Sequence, residues 1–169
     1  TTLFRSVPSL KDAVLVGGNV GLNNVITKVN IMEMPELAEW ASTGEVVMTT
    51  SNLFRENPEQ LVLLIEQLAA KGIAALGVKP KPLFSELSPQ VIEVANQLGL
   101  PLIELPSNIA ITDLVHEIME RMLATEAKSL MILQSRVQKL SQVLLNGGNI
   151  ERFMTHLYEM INNPVLLIE

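Results

Sequence analysis

Apolar residues recur in two rhythms along this chain. Short runs, some alternating with polar residues and some continuous, are separated by stretches where apolar positions return every three or four residues. Val14-Leu15-Val16 is short and β-branched, Gly17-Gly18 ends it, and Gly21-Leu22-Asn23-Asn24 is a turn signal. From Val25 to Met34, Val29 and Ile31 alternate with Lys28 and Asn30, which predicts a strand. Pro35 then opens a short helix carrying Leu37, Ala38, Trp40 and Ala41, and Gly44 stops it. A strand over Glu45–Thr50 follows. Asn57-Pro58 supplies the cap and first position of a helix with Leu61, Leu64, Ile65 and Leu68 on one stripe, closed by Gly72.

The unit then repeats in architecture, though not in sequence. Ile73 to Val78 is a continuous apolar run suited to a strand buried on both faces. Ser88-Pro89 caps a helix with Val91, Ile92, Val94, Ala95 and Leu98, Gly99 ends it, and Pro101 to Leu105 is the next strand. Strands and helices alternating through linkers this short predict an α/β fold: an open, mainly parallel sheet with crossover helices. From about Ile109 to Asn146 there is neither proline nor glycine. Apolar residues fall at Ile111, Val115, Ile118 and Met122, then at Leu130, Leu133, Val137, Leu140 and Leu144, with a break in phase near Ala124 to Ala127. This predicts one helix of about 50 Å. It could fold back over its own sheet; the preferred reading is that its exposed part pairs with a second copy, through Ile118, Met122, Leu130, Leu133, Val137, Leu140 and Leu144. After Gly147-Gly148 a helix capped by Asn149 or Asn146 is expected, then a strand in "NPVLLIE". A helix and one strand do not make a domain, because the strand's backbone groups need partners. The expected organisation is therefore an α/β domain over 1–108, a long linker helix over 109–146 and the start of a further domain over 147–169, in a longer protein.

Composition narrows the function. The 169 residues are 48% apolar with 4% aromatic, so the core must be aliphatic. The net charge of −6 and the lack of a basic cluster disfavour direct contact with a phosphate backbone. With no cysteine there is no disulfide, thiol nucleophile or thiolate metal site, and His116 and His156 are too far apart to suggest a metal pair by spacing. No metal or other cofactor is expected. No apolar run spans a membrane and no signal peptide opens the chain, which predicts a cytoplasmic protein.

Catalytic motifs are weak. "GGNVG", Gly17 to Gly21, fits neither a Walker loop nor a dinucleotide fingerprint and is explained by a turn. Ser51 lies on no nucleophile elbow. Glu33 and Glu104 near strand ends would need to meet to form an acid/base pair. What remains is geometry: an open parallel sheet binds ligands outside the carboxyl ends of its strands. Those ends hold Glu33, Thr49-Thr50-Ser51-Asn52, Val78-Lys79 and Leu105. The second set is rich in neutral donors and acceptors suited to a small polar heterocycle or amide, and Lys79 adds one positive charge. Against this stands a plain reading in which the threonines reflect strand propensity and Ser51 and Asn52 a turn.

"GGNVGLNNVITKVNIMEMPELAEWASTGEVVMTT", "IEQLAAKGIAALGVK" and "VIEVANQLGLPLIELP" resemble the N-terminal domain of PucR-type transcriptional regulators, bacterial regulators named for purine catabolism, from about Leu10 to Arg121. "LLNGGNIERFMTHLYEMINNPVLLIE" is similar to the linker and opening of that family's central domain. The resemblance implies a non-enzymatic sensor of a small metabolite, a purine or another nitrogen compound, that signals to helix-turn-helix domains lying outside this chain. One position departs from the family pattern: where a glycine commonly follows the two threonines, this chain has Ser51. Two other readings stay open on the residues: a small α/β enzyme using Glu33 or Glu104, and an inert dimerisation arm. The expected partners are a small effector and a second copy, with DNA reached only through further domains and no membrane.

Overall fold

A computed structural model describes residues 7–51, 59–80, 87–145, 149–163 and 165–166. Among these residues five strands are present: β1 (Val14–Gly17), β2 (Lys28–Ile31), β3 (Glu45–Thr50), β4 (Ala75–Lys79) and β5 (Leu102–Glu104). Four α-helices accompany them among the described residues: α1 (Glu59–Ala70), α2 (Pro89–Leu98), α3 (Ile111–Leu145) and α4 (Ile150–Ile161). The sheet order is β1-β5-β4-β3-β2; β2 to β5 are parallel, and β1 closes one edge antiparallel to β5.

The predicted fold class is the observed one. The parallel strands are laid down in sequence, one place along at each step, and their three connections pack on one face of the sheet. Leu61, Leu64, Ile65 and Leu68 of α1, Val91 and Ala95 of α2, and Ala38 and Ala41 close over Met32, Val47, Leu76, Val78 and Leu102. The opposite face buries Val46, Met48, Ala75, Ile103 and Leu105 under Val7, Leu10 and the first turns of α3, chiefly Leu114 and Ile118. Burial on both faces is why β3 and β4 read as continuous apolar runs.

Several local readings are corrected. The segment after Pro35 is a 3-10 helix, Pro35–Trp40, and Ala41 is already extended. β2 is four residues long, although the alternation runs further. It is an edge strand, and the Asn30 side chain accepts from the Ile31 N–H at 2.8 Å, shielding one backbone group from strand addition. The cap of α2 is as expected: the Ser88 hydroxyl accepts from the Val91 N–H and Gly99 is left-handed. Asn149 caps α4 through the Arg152 N–H. The expected cap at Asn57-Pro58 and the stop at Gly147-Gly148 lie outside the described residues. In "NPVLLIE" only Val165 and Leu166 are described, and they form no strand.

"GGNVG" has a steric explanation. The chain must pass from β1 on one edge to β2 on the other, and it does so through the 3-10 helix Asn19–Asn23 beneath the starts of β4 and β5. The Asn24 amide donates to the Ala74 carbonyl at 3.2 Å, and the Gly18 N–H donates to Asn96 Oδ1 at 2.7 Å. A Cβ on Gly18, whose φ is 73°, would overlap the Leu100 carbonyl, and one on Gly21 would overlap the Gly99 carbonyl.

The described chain forms two compact units, one running to Met122 and one from Leu123. The first holds the sheet, both its layers and the first three turns of α3. In the second, Leu123, Leu130, Leu133, Val137 and Leu144 are exposed and Leu140 is half-buried. Among the described residues no helix is long and apolar enough to cross a membrane.

Candidate functional site

Parallel pairing brings the carboxyl ends of β2, β3, β4 and β5 to one rim, with Thr49 beside Val78, Thr50 beside Lys79, and Val78 beside Glu104. The described strand-end residues named from sequence therefore do gather at one end of the sheet. They do not face one way. Successive strand residues point to opposite faces, so Thr49 and Thr50 cannot line the same pocket on one face.

Thr49 lies on the α1–α2 face with Val47 and Val78 and is fully buried. Its hydroxyl donates to the Met32 carbonyl at 2.8 Å, tying the end of β2 to β3. Val78 is 2% exposed, and so is Leu105, whose side chain fills the space over Gly77, where a Cβ would stand 3.1 Å from it. These three are packing residues in this structure. Thr49→Val is expected to destabilise the protein by about 1–3 kcal/mol, because the Met32 carbonyl loses its donor. Thr50→Val should stay within about 0.5 kcal/mol; urea unfolding of both checks the contrast.

Thr50 and Lys79 remain, side by side on the α3 face and both half-buried. The Lys79 ammonium donates to the carbonyl of Ile109, in the loop between β5 and α3. Ser51 is half-buried beside them and has a partner of its own. Glu33 is exposed beyond β2, and Glu104 is half-buried at the end of β5. Since β2 and β5 lie at opposite ends of the parallel set, with β4 and β3 between them, an acid/base pair of Glu33 and Glu104 is not formed. Asn52 lies outside the described residues. Among the described residues no three His, Asp or Glu side chains gather as a metal site. The Ile109 carbonyl had no signal in the sequence, because a backbone acceptor shows in no residue type.

The proposed pairing stripe on α3 also divides. Ile118 is 1% exposed in the core and so is not available to a second helix, and Met122 packs half-buried against the same core. Counting heptads back from Leu130 leads instead to Leu123 and Met119, which are 63% and 49% exposed. The break in phase seen in the sequence marks two different stripes, one for the sheet and one exposed.

An open, mainly parallel α/β sheet, with its strand ends at one rim and a long heptad-bearing helix directly after its last strand, defines a compact α/β domain that runs on into one long helix. The chain belongs to the purine catabolism regulatory protein-like (PucR) family, whose model matches residues 5–122. It is similar to a purine catabolism regulatory protein from Bacillus subtilis (strain 168), with 27% identity over 163 residues, covering 96% of this chain and 31% of that protein. The chain thus spans about a third of that relative's length. No solved structure matches it.

Proposed function

We propose that this chain is the small-metabolite sensing and dimerising part of a cytoplasmic transcription regulator, with DNA contacted by domains beyond it. The effector is a purine-like or other nitrogen metabolite. Family membership and the relative's name support regulation of purine catabolism. The observation that carries the route is the single helix α3, which begins packed on the sheet's α3 face and continues as an exposed heptad stripe. Thr50, Lys79 and the loop from Leu105 to Ile109 form the favoured ligand rim, with Ser51 beside them; Thr49, Val78 and Leu105 support it from within. For the ligand to signal, it must bind one arrangement of α3 better than another, and a tenfold preference supplies about 1.4 kcal/mol.

A thermal-shift screen over purines, ureides and amino acids tests the reading. A true effector at 100 times its dissociation constant should add about 2.7 kcal/mol of stability, raising the melting temperature by roughly 5–10 °C. No stabiliser from any of the three classes would favour an inert arm. Turnover of a hit would favour an enzyme.

A further inference from the structure

Lys79 links two elements by a hydrogen bond: the end of β4 and the entry to α3. That entry has no side-chain cap at Ala110, and its local support is Asp113 in the first turn, set against the helix dipole. Ala110, immediately before the helix, carries no side-chain acceptor, and the Asp113 and Leu114 N–H groups bond only to its carbonyl, at 3.2 Å each. Alanine is among the weakest N-caps. The helix start is therefore held by burial of Leu114 and Ile118 and by the bond from Lys79 to Ile109.

That bond is unequal. A full positive charge is matched with a neutral carbonyl, at the helix end where the backbone dipole disfavours a cation. Among the described residues no carboxylate pairs with Lys79. A charged acceptor makes a bond about twice as strong as a neutral one. An oxyanion arriving at the rim would therefore outcompete the carbonyl. The Thr50 side chain, adjacent in register on the same face, stands where it could donate to that oxyanion as well.

We propose that Lys79 is a latch opened by the ligand: an oxyanion of the effector, seated beside Thr50, takes the Lys79 ammonium and releases Ile109 and the first turn of α3. This rests on the sensing reading above and adds the charge of the effector and the bond it breaks. The effector is then a small carboxylate or related oxyanion.

Hydrogen exchange on the whole chain tests this without the natural effector, so its result stands apart from the metabolite screen. Lys79→Met should raise exchange of the amides of residues 113–116 roughly tenfold, leaving β3 unchanged. Lys79→Arg, which keeps the charge and donors, should stay near wild type. Sodium acetate and inorganic phosphate, at ionic strength matched with sodium chloride, should raise exchange of the same amides in the wild type and not in Lys79→Met. Wild-type exchange in Lys79→Met would overturn the latch. So would anions that act equally on both proteins, or on neither. The anion response of the wild type decides the matter even if a variant folds poorly.

Discussion

Gly18→Ala is expected to destabilise the protein by roughly 3–5 kcal/mol, combining a left-handed backbone imposed on alanine with overpacking. The new methyl would overlap the Leu100 carbonyl and stand 2.6 Å from the Pro101 nitrogen. Both are backbone atoms just before β5, so no side chain can rotate away. A fall in melting temperature of about 10 °C or more should follow for a chain of this size. Gly99→Ala is the control. It is also left-handed, with φ 63°, but its methyl meets only the Val20 Cβ at 3.9 Å. Its expected effect is about 1 kcal/mol. Thermal unfolding of the two variants side by side separates close approach from backbone conformation.

Leu130→Glu with Val137→Glu is expected to convert a dimer into a monomer, weakening association by roughly 100-fold or more, since two apolar seam positions become like charges. Analytical ultracentrifugation reads this directly. Ile118→Glu should behave differently. Ile118 lies in the core under the sheet, so that change should unfold the first unit, with loss of cooperative melting. Monomeric wild-type chain at high concentration would defeat the seam altogether. If Leu123→Glu weakens the dimer while Ser135→Glu, exposed on α3 and off the seam, does not, the heptad counted back from Leu130 is correct.

The sheet was legible because its signals were redundant. Apolar runs, proline at helix starts and glycine at helix ends agreed on α1, β4, α2 and β5, and burial of β3 and β4 on both faces left no polar alternation to misread. The 3-10 helix after Pro35 was not legible as such, since six residues carry too little periodicity to distinguish it from an α-helix. The site was legible only to its rim. Thr49 and Thr50 read as a pair because they are adjacent in sequence, yet adjacency on a strand is what separates them: one hydroxyl is committed to Met32, the other lies beside Lys79. In α3, an apolar residue facing a sheet and one facing a partner have the same chemistry. Only burial distinguished Ile118 from Leu123.

Because all three parallel connections occupy one face, the other depends on a helix that comes after the last strand. A piece of the protein cut at Pro106 would present Val46, Met48 and Ile103 to water on an open face, and should aggregate during expression. The smallest autonomous unit thus ends near Met122. A chimeric regulator built on this domain should be spliced after that residue, in the heptad phase of Leu123 and Leu130; a junction placed at the visible loop would remove part of the core.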